Sequence, residues 1–272
     1  MQIAVEANRK FLNTAAPRAA ADWDQLLAHQ VDLVFPQELE FLLSMPAWET
    51  AARVLDAGCG NGYFVSRLQA FFPGKQYFGI DISRELIAAA ASRYPAIGLA
   101  AADIVEFRSR ERFDLIVMRF VVQHLKDFGA ILDSANRLLR PGGRLLIIES
   151  DLANSSQLPE VPVFTNMLLA FAQVSAVQGG IKPRLLADPE HLVAETNPAW
   201  CVEQQRIVTS PRVGPFGDSA LLAIYLLWVD LCERSRMFAF DFDRVRDELQ
   251  DWASDAATFS KVALRMIVMK PR

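Results

Sequence analysis

The chain of 272 residues has few of the side chains that build metal sites or disulfide frameworks. Its three cysteines, Cys59, Cys201 and Cys232, are far apart and form no CxxC pair, and the chain has only three histidines. This pattern excludes a disulfide framework and argues against structural zinc. We therefore expect no metal and a reducing, cytoplasmic location.

The chain also lacks excess positive charge and long apolar segments. Its formal net charge of -4 repels phosphate backbones, so no nucleic-acid partner is expected. The longest apolar run, Ala220 to Val229, is ten residues long and too short to cross a bilayer. The first 25 residues carry polar side chains every few positions, unlike a signal peptide. We therefore expect neither a leader nor a membrane segment.

Between Arg53 and Ser150, short apolar runs alternate with helical stretches, which is typical of a parallel sheet with crossover helices. The pattern predicts strands at 53–56, 76–81, 99–103, 113–118 and 144–149, and helices at 64–72, 84–93 and 127–140. Ser83 is placed to cap the second of these helices. Pro141-Gly142-Gly143 is expected to end the third.

Outside this core, the pattern predicts further helices and two closing strands. The helices are expected at 22–45, interrupted at Pro36, and at 162–177, 216–236 and 242–257, and the strands at 202–209 and 261–270. A polar stretch rich in glycine and proline reaches from the second helix to about Pro189. The expected fold is a Rossmann-like, doubly wound α/β domain with a mostly parallel seven-stranded sheet. Residues 1–45 are expected to form a helical cap, and the domain at 46–272 to carry cap insertions at about 155–198 and 211–258.

A glycine-rich turn, Gly58-Cys59-Gly60-Asn61-Gly62, stands between the first strand and its helix. Glycines there allow close approach of a ligand to the backbone. The dinucleotide fingerprint requires glycine where this chain has Tyr63, which disfavours a nicotinamide-dependent reductase. Asp56 before the turn suits a ligand with an ammonium and a sulfonium better than a pyrophosphate.

Acids also end the next two predicted strands. Asp81 can accept hydrogen bonds from both hydroxyls of a ribose, and Asp103 with Ile104 suits an adenine amino group and ring face. Ligands of open α/β sheets bind along the carboxyl edge of the strands, where all three acids fall. The sequence therefore predicts an unphosphorylated, partly cationic nucleoside as the ligand.

These segments, together with Phe113-Asp114-Leu115-Ile116-Val117 and Leu138 to Gly143, resemble the class I S-adenosylmethionine (SAM) dependent methyltransferase family. The resemblance covers about residues 50 to 151. It implies SAM as cofactor and S-adenosylhomocysteine (SAH) as product. The cofactor-binding residues implied are Asp56, Gly58, Cys59, Gly60, Gly62, Asp81, Ile82, Asp103, Ile104, Arg119 and Phe120. Among them, Ile82 is expected on the adenine face, and the segment from Arg119 to Leu125 at the sulfonium end.

Two interpretations of His124 stay open, a base that takes a proton from the acceptor or a hydrogen-bonded residue at a helix start. Glu149 and Asp151 are polar candidates at the end of the fifth strand. Catechol-type enzymes place a metal-binding aspartate where this chain has Arg119, which again predicts a site without metal.

The helix containing Ala220 to Val229 is apolar on every side, so other groups must cover it. Its side chains either fill a core or a homodimer interface, or line an apolar acceptor pocket. The side chains considered for that pocket are Phe164, Met167, Phe171, Tyr225 and Trp228.

The sequence thus predicts methyl transfer from SAM to O, N or C of a small, apolar metabolite, as in secondary metabolism. One alternative is a SAM-binding protein that uses the cofactor for a non-methylating reaction such as cyclisation. Another is a methyltransferase that acts on RNA or protein, which would need a basic groove.

Overall fold

The computed structural model describes residues 17–158, 161–179, 181–210, 219–236, 239–255 and 259–272. The chain forms two compact units. The sheet unit comprises Pro36–Asp151, Gly179–Val208 and Leu264–Arg272. The helical unit comprises the described residues of Met1–Phe35, Leu152–Gln178 and Thr209–Ala263. The division into a cap at 1–45 and a domain at 46–272 stays a prediction.

A seven-stranded sheet forms the centre of the sheet unit. Its strands are β1 (Arg53–Ala57), β2 (Gln76–Asp81), β3 (Gly98–Ala101), β4 (Phe113–Arg119), β5 (Leu139–Ser150), β7 (Trp200–Thr209) and β9 (Ala263–Pro271). Their order across the sheet is β3-β2-β1-β4-β5-β9-β7, in which β1 to β5 are parallel to one another and β9 runs antiparallel to β5. The predicted α/β fold with a mostly parallel seven-stranded sheet is confirmed.

Helices connect β1 to β2, β2 to β3 and β4 to β5, as the alternating pattern predicts. The helices of the sheet unit that lie wholly within it are α2 (Pro46–Thr50), α3 (Tyr63–Phe71), α4 (Arg84–Arg93), α5 (Phe128–Leu138), α7 (Ile181–Ala187) and α8 (Pro189–Thr196). Ser83 caps α4 by accepting the Leu86 N–H, and Asp127 caps α5 by accepting the Ala130 N–H. Both caps satisfy helix-end donors that have no partner inside the helix.

The start of β5 differs from the prediction. Helix α5 ends at Leu138 and the strand begins at Leu139, so Pro141 and Gly142 lie within β5 rather than between two elements. The register jumps there, since Phe113 pairs with Leu139 but Leu115 pairs with Arg144. Gly142 has a φ of 82°, in the left-handed region that glycine adopts readily. Such a residue is common where a strand is irregular.

Three prolines also behave differently from the prediction. Helix α1 (Pro17–Leu43) continues through Pro36, because the neighbouring Val34, Phe35, Phe41 and Leu42 are buried and hold both halves in helical geometry. The expected polar stretch before Pro189 instead contains α7, and α8 begins at Pro189 itself. Pro183 lies in the first turn of α7, and Pro189 opens α8 behind the capping Asp188, positions where a missing N–H costs no helical bond.

The helical unit contains α6 (Pro162–Gly179), α9 (Ser219–Ser235), α10 (Phe242–Ser254) and an antiparallel pair of β6 (Ser156–Leu158) with β8 (Phe259–Lys261). Its core includes Leu26 of α1. The Glu248 carboxylate accepts the Val163 and Phe164 N–H groups at 3.1 and 2.9 Å, which satisfies the start of α6. None of the described helices is both long and apolar enough to span a membrane.

Candidate functional site

The glycine-rich turn leaves β1 in a conformation that requires glycine. Gly58, Gly60 and Gly62 have φ values of 90°, 53° and 71°, in the left-handed region. The N–H groups of Gly58 and Cys59 donate to the Ile80 carbonyl, at 2.7 and 2.9 Å. Those of Gly60 and Gly62 donate to Asp81 Oδ2 and to the Cys59 carbonyl, each at 2.9 Å. Four donors of the turn are therefore already used inside the protein, which leaves them poorly placed to bind a pyrophosphate.

Close packing fixes the turn on both sides. A Cβ atom on Gly58 would lie 2.3 Å from Val121 Cγ2, so the turn touches the segment after β4. The Cys59 side chain is buried against Gly79, where a Cβ atom would lie 2.8 Å from its sulfur. Burial raises the pKa of the Cys59 thiol. Any ligand contact of Cys59 therefore comes from its backbone.

Asp81 ends β2 beside this turn. Its Oδ2 accepts the Gly60 N–H at 2.9 Å, and its Oδ1 accepts the Ser83 N–H at 2.8 Å. Burial raises the pKa of Asp81, and these backbone hydrogen bonds oppose the rise. Each carboxylate oxygen keeps a second lone pair, so the fixed carboxylate can accept two further hydrogen bonds.

Asp56 lies buried in β1, and its Oδ1 atom has no hydrogen-bond partner. Burial raises its pKa to about 7. Nearby Arg119 opposes the rise, while Asp81 and Glu38 add to it. A buried carboxylate oxygen without a donor is costly, which indicates that a ligand supplies one.

Glu38 of α1 is a second buried acid at this end of the site, and the sequence analysis missed it. Its Oε1 atom pairs with Arg119 Nε at 2.7 Å, with both side chains buried. Its Oε2 atom, like Asp56 Oδ1, lacks a hydrogen-bond partner. No local motif marks Glu38, because 81 residues separate it from Arg119. Only the folded chain brings the two together.

Arg119 is the last residue of β4, and Phe120 follows it. The Arg119 guanidinium lies 4.3 Å from the centroid of the Phe120 ring and 5.5 Å from that of Phe64. Phe120 has a φ of 59°, in the left-handed region that a bulky residue adopts only under constraint, and its N–H donates to the Ile148 carbonyl. This strained position is typical of a strand end at a functional site.

The third predicted acid and its apolar neighbours lie beyond β3. Asp103 is exposed, and its Oδ1 accepts the Val105 N–H at 2.8 Å. Ile104 is buried in the core of the sheet unit, and Ser134 donates to its carbonyl. Ile82 is 64% exposed, directly after Asp81, and so presents an apolar surface beside a carboxylate. An aromatic base would cover that surface.

His124 lies in a short 3₁₀ turn (Val122–His124) after β4. Burial, with a smaller contribution from Lys182, lowers its pKa to about 4. The imidazole is therefore neutral near pH 7. A base works best when its pKa is near the working pH, so this environment weakens the interpretation of His124 as a strong base.

A methyltransferase domain model matches residues 27–182, which is more than half of the chain. The chain belongs to this methyltransferase family. The family predicted from the sequence is thus confirmed, with SAM as its cofactor.

Two curated relatives and one solved structure illustrate the similarity. The chain is 30% identical to trans-aconitate 2-methyltransferase of Methylobacterium radiotolerans over 47% of this chain and 49% of that protein. It is 35% identical to ubiquinone biosynthesis O-methyltransferase of Bradyrhizobium diazoefficiens over 35% of this chain and 38% of that protein. The chain therefore spans less than half the length of these relatives. A plantazolicin methyltransferase in complex with a desmethyl plantazolicin analogue and SAH has a TM-score of 0.54 at 17% identity, covering 99% of this chain and 96% of that one. The last comparison shows a shared fold.

The residues of this chain fit SAM chemically. SAM carries an ammonium, and two buried carboxylate oxygens, Asp56 Oδ1 and Glu38 Oε2, lack donors. SAM has no phosphate, and the turn has little free N–H to offer one. The side chains of Asp81 and Ile82 match a ribose and an adenine face.

The side chains considered for an acceptor pocket lie in the helical unit. Phe164, Met167 and Tyr225 are buried in its core, where the Phe164 and Tyr225 ring centroids are 4.5 Å apart. The Tyr225 hydroxyl lies 3.1 Å from Ser260 Oγ, and Trp228 packs edge-on against Trp23. The side chain of Phe171 lies outside the described residues. These positions agree with the interpretation as a packed core, and a role in acceptor binding stays a prediction.

Proposed function

We propose that this protein transfers a methyl group from SAM to a small-molecule acceptor, without a metal. The observation that carries the proposal is the group of buried acids beside the glycine-rich turn, in which two carboxylate oxygens lack donors while the turn uses its own N–H groups. This arrangement suits a cationic nucleoside and disfavours a phosphate.

Each part of the cofactor has candidate partners in the chain. Asp81 would accept hydrogen bonds from the ribose hydroxyls, and Ile82 and Asp103 would contact the adenine. Asp56 and Glu38 would accept from the ammonium, while Arg119 would face the carboxylate of the amino-acid end. The bound sulfonium supplies an activated methyl group. The protein's own contribution is to hold the acceptor in line with that methyl and to exclude water.

The curated relatives support a small-molecule acceptor, since one is named for trans-aconitate and another for ubiquinone biosynthesis. The net charge of -4 disfavours RNA. We further propose that the acceptor is an apolar metabolite and that the protein is cytoplasmic. We also propose that it forms a homodimer through the apolar helices of the helical unit. Gel filtration with light scattering would test the last of these.

The decisive experiment has two stages. Calorimetry on protein stripped of endogenous ligand should show saturable SAH binding, and its absence would end the proposal. SAH release is then measured against a panel of hydroxyl, amine and carboxylate acceptors. Cofactor binding without turnover on any acceptor would favour the non-methylating alternative.

Replacing Glu38 with glutamine should weaken SAH binding about tenfold, because a charged acceptor for the ammonium is lost while a neutral oxygen still faces Arg119. Binding of 5′-methylthioadenosine, which lacks the amino-acid end, should not change. Glu40→Gln, an exposed acid on the same helix, is the matched control and should leave both ligands unaffected. If Glu38→Gln weakened the binding of SAH and of 5′-methylthioadenosine equally, the effect of the substitution would be structural.

SAH affinity should fall as the pH drops below 7. The groups acting on Asp56 are Arg119, Asp81 and Glu38, and together with burial they set its pKa at about 7 in the free protein. An ammonium prefers the ionised carboxylate, so binding must expel the proton that Asp56 carries at lower pH. The affinity should therefore decrease by up to about tenfold per pH unit below 7.

Calorimetry between about pH 5.5 and 7.5, in two buffers of different ionisation enthalpy, measures this proton release. The Asp56→Asn variant should bind SAH more weakly at pH 7.5, with a much flatter pH dependence. An unchanged slope in that variant would assign the titration to another group.

A further inference from the structure

Five polar residues gather where β4 and β5 end, and we call them the β4–β5 cluster: Gln123, His124, Glu149, Ser150 and Lys182. Lys182 of α7 is its centre. Its Nζ atom lies 2.7 Å from Ser150 Oγ, 3.1 Å from Gln123 Oε1 and 3.3 Å from Glu149 Oε2. The ammonium thus donates hydrogen bonds to Ser150 and Gln123 and forms an ion pair with Glu149.

The charge of the cluster is balanced internally. The Glu149 side chain is fully buried and lies 3.3 Å from the Lys182 ammonium. Burial raises the pKa of Glu149, while the ammonium and the backbone N–H groups of Gln123 and Val122 oppose the rise and favour the ionised carboxylate, whose charge balances that of Lys182. His124 adds no charge at neutral pH, because burial keeps its pKa at about 4. The cluster is therefore polar without net charge.

Two further cations described near these strand ends also have acidic partners. Arg119 is paired with Glu38, and Arg265 lies 3.0 Å from Asp151. The nearby Lys126 is exposed, where solvent screens its charge. Arg119 is also the residue proposed to face the carboxylate of the cofactor, so a carboxylate on the acceptor would find no unpaired cation among these groups.

The cluster nevertheless offers a hydroxyl group both kinds of hydrogen bond. Ser150 Oγ accepts from Lys182, which leaves its own O–H to donate. A neutral imidazole has one unprotonated nitrogen that can accept. A hydroxyl in contact with both residues would donate to His124 and accept from Ser150, whereas a carboxylate can only accept.

We propose that the β4–β5 cluster binds an uncharged hydroxyl group of the acceptor, and that the Glu149–Lys182 pair excludes carboxylate acceptors. The inference rests on the proposed function, whose acceptor class it narrows. Lys182 is a positioning and specificity residue here, since its charge is neutralised within the protein.

The test uses the imidazole NMR signals of the protein saturated with SAH. The chain has three histidines, and His29 and His191 serve as internal references for His124. Phenol should shift the His124 signals in a saturable manner, and benzoate at the same concentration should not. The proposal is overturned if benzoate shifts them as strongly as phenol, or if neither does.

A charge variant then tests the cause of the selectivity. Glu149→Gln removes the carboxylate that neutralises Lys182, so benzoate binding should strengthen at least about tenfold while phenol binding changes little. Glu195→Gln removes the same charge from an exposed pair with Arg184, and it should change neither benzoate binding nor phenol binding. Equal benzoate binding by the Glu149→Gln variant and the wild type would refute the assigned role of the pair.

These outcomes are separable from failure of the proposed function. A protein that does not bind SAH contradicts the proposed function before any probe is added. SAH binding with no response of His124 to phenol contradicts only the assignment of the β4–β5 cluster. Circular dichroism of each variant checks that the fold is retained.

Discussion

Replacing Asp81 with alanine should weaken SAH binding about 100-fold or more. The substitution would remove two charge-assisted hydrogen bonds to the ribose, each worth about 1.5–3 kcal/mol. It would also release the Gly60 and Ser83 N–H groups that hold the turn against the carboxylate. Calorimetry with SAH measures the change, and Asp81→Asn, which preserves the shape, should give a smaller loss.

A second aspartate provides the matched control. Asp127 also accepts a backbone N–H, from Ala130, but it caps α5 and is not among the candidate cofactor residues. Asp127→Ala should lower thermal stability through loss of a cap and leave SAH affinity unchanged. A folded Asp81→Ala protein with wild-type affinity would contradict the assignment of the ribose site.

Alanine at Gly58 should destabilise the fold by about 2–4 kcal/mol and impair cofactor binding. A positive φ costs an alanine about 1 kcal/mol, and the methyl group would also overlap Val121 at 2.3 Å, which costs about 1–3 kcal/mol more. Chemical unfolding measures the free energy. The Gly58→Ala, Val121→Ala double variant should recover part of the steric cost and none of the backbone cost.

Gly142 separates these two contributions. Its φ of 82° is close to that of Gly58, but a Cβ atom there would meet no heavy atom within 4 Å. Gly142→Ala should therefore show only the backbone cost, about 1 kcal/mol, and unchanged SAH binding. Equal destabilisation by the two alanines would rule out the Val121 contact as the cause.

The sheet could be predicted from the sequence because its signals are local. The parallel strands are short apolar runs, all but β4 beside glycine or proline, and Ser83 marks the start of α4. Prolines misled the prediction at α1, α7 and α8. Whether a proline ends a helix depends on its position in the first turn and on burial of the flanking residues, and burial is a property of the folded protein.

The candidate site was only partly predictable, for a related reason. The turn and its acids lie within continuous motifs, whereas Glu38 and Lys182 reach the strand ends from helices distant in sequence. A single charged residue on a helix is more often a solvated one. Nothing in the spacing of these two residues distinguishes them from their exposed neighbours.

The internal hydrogen bonds of the glycine-rich turn bear on the thermodynamics of association. Because Gly58, Cys59, Gly60 and Gly62 already donate to partners in the free protein, this segment does not have to become ordered when a ligand arrives. Little backbone entropy is lost there, and preorganisation of this kind raises affinity without an additional contact. Amide hydrogen exchange at these four positions should accordingly be slow before SAH is added and change little afterwards.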